Sequence, residues 1–304
     1  MTRLLPWIRR FGWLVLATGL LLRWWLRDLH PSWAPLFYAL APGVLVIGWG
    51  MLALLEKGLR RRLVALLMAQ AVWFWPTASP RESPPQKPFH EASKRWSILF
   101  WNLARPQGLH QGALDLIRQR KPDLAAFVEP GVFSPALLEA YRKELPDHFV
   151  EWMPRGILWV SRALSRRGQR DRLAAQGAWA SFRVEDEQGG FPVLVCDLRI
   201  VDGWNGHRAE QFSQLQQLLP RHPAFIVMGD FNTPVDSCFF DSWMPHGFHA
   251  LSPERLPMAT WPALLPLWNL DQVWLGSAWQ VHSANRLWAP QCSDHAALWL
   301  EIQR

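Results

Sequence analysis

The chain has 304 residues, half of them apolar, which is enough for one full-sized globular domain and a further segment. Its formal net charge is +7, yet residues 1–95 hold 13 of the 32 Lys and Arg and only 4 of the 25 Asp and Glu, so the front carries +9 and the remainder −2. That remainder lacks the broad positive footprint of a duplex-DNA binder, and Cys196, Cys238 and Cys292 form no CxxC pair that would indicate a zinc site or a disulfide framework.

Three apolar stretches come first, over residues 11–22, 33–55 and 63–75, divided by charged clusters. A bilayer span takes about 20 apolar residues. The middle stretch is therefore long enough, and the outer two need Arg23 and Arg60, Arg61 and Arg62 to snorkel to the interface. Trp7, Trp24, Trp25, Trp73 and Trp75 lie near the stretch ends, as in the aromatic belts of membrane proteins. Residues 1–78 thus read as a transmembrane helical segment with three spans. One uncleaved anchor with two interfacial helices is the alternative; a signal-like leader fits poorly, because no small-residue cleavage site follows the first stretch.

Basic residues set the topology. Arg3, Arg9 and Arg10 at the N-terminus and Lys57, Arg60, Arg61 and Arg62 in the second loop outnumber Arg23 and Arg27 in the first. The positive-inside rule puts the N-terminus in the cytoplasm, and three spans then deliver the rest of this multi-pass cell-membrane protein to the extracytoplasmic side. Two spans would reverse that facing. Residues 79–95 turn polar and, with Pro76 just before them, carry Pro80, Pro84, Pro85 and Pro88, the composition of an extended tether.

From Trp96 to Arg304, short apolar runs alternate with amphipathic stretches. Strands are predicted over 97–101, 124–128, 157–160, 179–184, 191–198, 225–228, 272–275 and 296–302, and helices over 112–120, 136–145 and 207–219. Ser134-Pro135 is a helix start, and 185–190 reads as the turn of a hairpin. Strands recurring both with and without intervening helices predict mixed sheets covered by helices, an α/β arrangement.

Polar residues gather at the ends of these strands, where loops can converge on a site. Asn102 closes the first strand; alone, it is the residue of a turn. Glu129 follows a buried run and precedes Pro130-Gly131, a placement that suits a ligand of a hard cation such as Mg²⁺. The apolar strand over 225–228 runs into Gly229-Asp230-Phe231-Asn232. In extended chain residues two apart share a face, so Asp230 would accept a proton with Asn232 as its amide partner. Asp271 and His295 are candidates for a catalytic carboxylate–imidazole couple, with a buried structural pair as the alternative, and His295 sits in Ser293-Asp294-His295 just before the last strand.

The ordered set of Asn102, Glu129, Gly229-Asp230-Phe231-Asn232, Asp271 and Ser293-Asp294-His295 resembles the endonuclease/exonuclease/phosphatase superfamily over residues 96–304. The strand from Gly156 to Ser161-Arg162 and the helix from Arg208 to Leu219 are similar to family elements as well. With Thr260-Trp261-Pro262 and the apolar front, the chain looks most like bacterial membrane-anchored members, including those associated with glycopeptide resistance. The resemblance implies a four-layered α/β sandwich, two mixed sheets flanked by helices. It implies metal-dependent hydrolysis, with Mg²⁺ or Mn²⁺ held by Glu129, Asn102 and Asp294. Asp230 would orient or deprotonate water with help from Asn232, and His295, held by Asp271, would serve the phosphate oxygen.

Two positions depart from the family pattern. Gln272 stands where His commonly follows the Asp, and Asp197 stands where most members have His in the catalytic set. An anionic Asp197 repels phosphate unless it is protonated, recruits a second cation or points away. The implied activity is hydrolysis of a phosphate ester or diphosphate, lipid-linked at the membrane surface, with the bilayer and a phosphorylated substrate as partners. A membrane-tethered nuclease is the second choice, and a catalytically impaired binding domain the third. Trp204, Trp243 and Trp268 are candidates for lipid contact, though core burial is the commoner fate of such residues.

Overall fold

A computed structural model of the protein describes residues 4–30, 32–74, 94–153, 156–163, 165–173, 177–185, 189–199, 207–219, 222–246, 249–250 and 259–304. The tether reading over 79–95 falls, up to residue 93, outside the described residues, as do Trp75 and Trp204.

Helix α1 (Leu5–Leu21) continues through a π-helical turn, Leu22–Leu26, to give 22 apolar-rich residues. At about 1.5 Å per residue that is roughly 33 Å, and this helix is long and apolar enough to cross a membrane. The middle stretch is broken. Helix α2 (Ala34–Ala39) stops at Leu40, and α3 (Pro42–Leu55) starts on a proline that holds Ala41 extended (φ −53, ψ 154). With 14 residues α3 covers about 21 Å, and α4 (Leu59–Phe74), with 16, about 24 Å. Over the described residues both are shorter than a hydrocarbon core of about 30 Å. Among the described residues, then, the stretch read as short is the one long enough, and the stretch read as long enough is not. Helices α1 and α3 pack antiparallel and closely: a Cβ on Gly48 would strike Leu16, and one on Gly19 would strike Leu45.

The rest builds two six-stranded mixed sheets. In chain order the elements are β1 (Arg95–Asn102), α5 (Gln111–Arg120), β2 (Leu124–Val128), α6 (Pro135–Glu144), β3 (Phe149–Met153), β4 (Ile157–Ser161), β5 (Ser165–Arg172), β6 (Ala178–Val184) and β7 (Phe191–Asp197). They continue with α7 (His207–Leu218), β8 (Ile226–Asp230), a 3₁₀ stretch Cys238–His246, β9 (His249–Ala250), β10 (Asp271–Leu275), β11 (Gln280–Leu287) and β12 (Ala297–Gln303). One sheet has the order β11-β12-β1-β2-β4-β3, the other β5-β6-β7-β8-β10-β9. The predicted strands and helices all form, and Ser134 caps α6 by accepting the Leu137 amide, as its Ser-Pro start implies.

Central strands are apolar on both faces because both faces are covered. Ile98 and Phe100 of β1 point between the sheets with Phe182, Val195 and Met228, whereas Leu99 and Trp101 point outward onto Leu114 and Ile117 of α5. On the far side Leu194 and Val227 meet Phe212 and Leu215 of α7. The result is a four-layered α/β sandwich. Trp159 of β4 stacks on Phe182 of β6 across the sheet interface, centroids 4.3 Å apart and planes 11° off parallel. Such a pair adds about 0.5–1.5 kcal/mol to its burial, and Trp159→Ala would cost about 3–5 kcal/mol.

Parallel pairing of β1 with β2 and of β7 with β8, and antiparallel pairing of β10 with β8 and β12 with β1, put four strand ends and two strand starts together. Asn102, Glu129, Asp197, Asp230, Asp271 and His295 all lie at that end of the sandwich.

Candidate active site

Strand β8 ends in Gly229-Asp230. Glycine is required because β7 runs alongside, and a Cβ on Gly229 would sit 2.3 Å from the Cys196 carbonyl oxygen. Asp230 is buried, and both of its carboxylate oxygens are engaged. Oδ2 accepts from Asn102 Nδ2 at 2.9 Å, and Oδ1 accepts from the backbone N–H of Asn232 at 2.8 Å. Asn232 has φ 45, so the chain has already left the extended form, and the shared strand face read from the sequence does not exist. Its side-chain amide donates instead to the Leu198 carbonyl at 2.6 Å, which ties the end of β7 to the turn. Asn232 thus supports Asp230 through its backbone.

His295 and Asp271 come together as the sequence implied. His295 Nδ1–H donates to Asp271 Oδ2 at 2.7 Å, in a buried setting, and Nε2 lies 4.0 Å from Asp230 Oδ2. The ring is aimed from several sides. The His295 backbone N–H donates to Ser293 Oγ, whose own hydroxyl donates to the Asn102 carbonyl, and Trp101 Nε1 donates to the His295 carbonyl. Asp271 is held by its backbone N–H, donated to Thr260 Oγ1.

Electrostatics follow from burial and crowding. Burial, then the Asp271 charge, push the Asp230 carboxyl up to about 7, against the pull of His295 and its two hydrogen bonds. Burial works against charge on His295, but Asp271, Asp230 and Asp294 outweigh it and lift the imidazole to about 10. At neutral pH the site therefore pairs an imidazolium with a carboxylate poised to gain or lose a proton.

Glu129 follows β2 in left-handed backbone (φ 50), with its N–H donated to the Gly156 carbonyl. Arg105 and Arg199 both donate to its Oε1, Arg199 at 2.9 Å. Asp294 is exposed, and its Oδ2 accepts from Trp261 Nε1 at 3.1 Å. Ordered along the chain, the residues that meet at this end are an Asn, a Glu, a Gly-Asp-Phe-Asn turn, an Asp and a Ser-Asp-His turn. The endonuclease/exonuclease/phosphatase family model matches residues 99–295. The chain belongs to that family.

Members of the endonuclease/exonuclease/phosphatase family are hydrolases acting on phosphoester bonds. Among solved structures, the chain is similar to an endonuclease/exonuclease/phosphatase from Beutenbergia cavernae DSM 12333, at 15% identity over 69% of this chain and 72% of that one, with a TM-score of 0.55. D. rerio TDP2 complexed with a single-stranded DNA product gives 14% identity, 69% and 100% coverage and a TM-score of 0.55. A mannosyl-6-phosphatase from Bacteroides thetaiotaomicron gives 12%, 68% and 99%, and 0.50. At these identities the likeness speaks for the fold. No curated protein matches the chain.

Family enzymes use divalent cations, and the residues present fit one. Glu129, Asp197, Asp230 and Asp271 crowd one end of the sandwich, and Oδ1 of Asp197 and of Asp271 are buried with no hydrogen-bond partner among the described residues. Oxygen-rich, mutually repelling donors of this kind suit a hard cation. Asp230, Asp271 and His295 offer ligand atoms within 4.8 Å of one another. The 2.7 Å between His295 and Asp271 is, however, a hydrogen bond's length and leaves no room for an ion between those two atoms. Glu129 is the better ligand, since both arginines use Oε1 and Oε2 has no protein partner among the described residues.

The two departures resolve differently. Gln272 donates to the Thr233 carbonyl at 2.7 Å and accepts from Trp274 Nε1 at 3.0 Å, a supporting part that needs no imidazole. Asp197 is buried beside Asp230, and burial, Asp230 and Glu129 raise its carboxyl well above the ordinary range, against Arg199 and Arg105. Sequence reasoning missed Arg105 and Arg199, and gave no site role to Thr260 or to Arg208, which donates to the Asn232 carbonyl and Thr233 Oγ1. Arg199, two residues after Asp197 at a strand end, was the one with a usable signal. Trp243 is core, and Trp268 donates to the Tyr38 carbonyl.

Proposed function

We propose that the chain is a membrane-anchored phosphoester hydrolase that uses Mg²⁺ or Mn²⁺ and cleaves a phosphate ester or diphosphate carried on a lipid at the membrane surface. The observation that carries this reading is the facing of Asp230 Oδ2 and His295 Nε2 at 4.0 Å, each fixed from behind, at the end of the sandwich where Glu129 also lies.

Asp230, ionised above about 7, orients the attacking water and takes its proton. Asn102 and the Asn232 backbone hold its two oxygens still. His295 donates Nε2–H to a phosphoryl oxygen, and Asp271 keeps the ring charged and oriented. Burial and the neighbouring carboxylates favour the protonated form of Asp197, which would donate a hydrogen bond where an anion would repel phosphate. Glu129, with Asn102 and Asp294, would hold the cation, which would supply Lewis-acid stabilisation of phosphoryl charge.

The anchor reading is supported by the α1–Leu26 helix. Arg9 pairs with Glu56 at 3.9 Å and Arg62 donates to the Glu56 carbonyl, so both basic clusters share one end of the helical segment, which suits a cytoplasmic end with the catalytic domain on the extracytoplasmic side. Two similar structures, a mannosyl-6-phosphatase and one holding a single-stranded DNA product, indicate that the fold accepts either substrate class. The charge of −2 over residues 96–304 favours the lipid phosphate. Purified protein with Mg²⁺ should release phosphate from a polyprenyl diphosphate, or a phosphorylated headgroup from a phospholipid, and leave plasmid intact. Salt-sensitive DNA cleavage would make it a tethered nuclease, and no turnover of any of the three a binding domain.

A further inference from the structure

The helical segment meets the catalytic domain at its site end. Arg23 donates to Asp236 Oδ1 at 3.0 Å and to the Phe37 carbonyl at 2.9 Å, and Arg27 forks onto the Asp241 carboxylate at 2.7 and 3.1 Å. Asp28 accepts from Ser237 Oγ and from the Cys238 backbone N–H. On the other flank Trp268 donates to the Tyr38 carbonyl at 2.7 Å, and Leu267 packs so closely on Gly43 that a Cβ there would lie 2.7 Å from it. The loops making these contacts leave Asp230 on one side and approach Asp271 on the other.

Among the described residues after Lys94, five large apolar side chains are strongly exposed: Val132 (87%), Leu264 (78%), Leu265 (57%), Trp288 (53%) and Phe149 (38%). Four of them sit on site-end loops. Val132 is three residues past Glu129. Leu264 and Leu265 belong to the loop that Asp294 holds, through its carbonyl to Ala263 N–H at 2.7 Å and its carboxylate to Trp261 Nε1. Trp288 opens the β11–β12 loop that carries Ser293, Asp294 and His295. Phe149 is the exception at the far end, in register with Ser161, which pairs with the first residue of β2. Single exposed apolar residues are ordinary, but their collection around one mouth, next to the emerging end of a helix fit to cross a membrane, is not.

We propose that this face is a membrane-seating rim: Val132, Leu264, Leu265 and Trp288 lie in the boundary between headgroups and acyl chains, so that the site takes its phosphate at headgroup depth. The inference rests on the membrane-anchored reading above. The bilayer is the occupant because the helix that would enter it leaves from this same face, and Trp25 and Leu36 near its domain end are exposed apolar residues as well. Seating the rim also explains why buried and forked ion pairs, not a slack tether alone, join the helices to the domain: they fix the domain's tilt against the membrane plane.

The test uses the full chain in phosphatidylcholine vesicles, with partly exposed Cys238 and Cys292 changed to Ser. A bimane fluorophore is placed on Leu264→Cys, on Phe149→Cys or on Leu14→Cys, and lipids carry a nitroxide high on the acyl chain for 264 and 149 and near the chain end for 14. Loss of most of the fluorescence at 264 and at 14, with 149 unaffected, is expected. Quenching at 14 with 264 behaving like 149 would overturn the rim while leaving the anchor intact. No quenching at 14 would remove the anchor, and the rim with it.

Discussion

Asn102, the last residue of β1, donates its side-chain amide to Oδ2 of Asp230, the last residue of β8, across 2.9 Å. The two strands belong to different sheets, so this bond ties the halves of the sandwich together at the site, and it also favours the ionised form of Asp230. Asn102→Ala should therefore act twice. Losing a hydrogen bond to a charged group costs about 1.5–3 kcal/mol, or roughly ten- to a hundredfold in rate. The pH at which activity appears should also move upward, because Asp230 becomes harder to ionise. A pH–rate profile of the variant that falls in height without shifting would contradict the second effect.

For the unmodified chain, the same groups define a window. Activity should rise as Asp230 ionises near pH 7 and fall as His295 loses its proton near pH 10. Stability carries matching signs. The folded pKa of His295 lies above its ordinary 6.5, so its stabilisation is complete below 6.5 and disappears as pH rises through about 10. Asp230 is raised from 3.8, so the folded state prefers it protonated, and stability from that group is lost between pH 3.8 and about 7. Kinetics and thermal unfolding across pH 4–11 check both limbs, and a flat profile from 6 to 11 would refute the roles given to these two groups.

Asp197 separates two accounts of the departure from the family pattern. Asp197 serving in its protonated form, which burial favours, is well mimicked by an amide, and on that account Asp197→Asn should keep the rate within about tenfold, a change near 1.4 kcal/mol. A loss of a thousandfold would mean that the carboxylate works as an anion.

Removing Asp28 leaves Ser237 Oγ and the Cys238 amide without their acceptor. Each unsatisfied donor costs about 1–3 kcal/mol, so Asp28→Ala should lower the Tm of the detergent-solubilised chain by several degrees and loosen the loop after Asp230. An unchanged Tm would show that the helical segment is not seated on the domain as described.

Much of this fold was legible because burial writes a plain pattern. The eight strands predicted from the sequence are the central ones, whose two covered faces demand unbroken apolar runs. The four strands that went unread, β3, β5, β9 and β11, are the four sheet edges. β5 reads Ser-Arg-Arg-Gly-Gln-Arg-Asp-Arg and is exposed from its second residue onward, so nothing in its composition marks a strand. The site was legible as an ordered set of residue types, and Asn102, Asp230, Asp271 and His295 do meet. What sequence could not supply was local geometry: the left-handed turn at Asn232 that moves its amide away from Asp230, and the arginines from two separate loops that converge on Glu129. In the helical front, hydropathy alone overlooked Pro42, which cuts the longest apolar stretch in two.

One titration tests the central claim most directly. The full chain, stripped of metal, is titrated with Mn²⁺ while hydrolysis of bis-p-nitrophenyl phosphate is followed, alongside Asp230→Asn and Glu129→Gln. Turnover should appear only with the cation, fall about 10²- to 10³-fold in Asp230→Asn with Mn²⁺ affinity little changed, and need markedly more Mn²⁺ in Glu129→Gln. Hydrolysis independent of metal, or equal in all three proteins, would contradict the account.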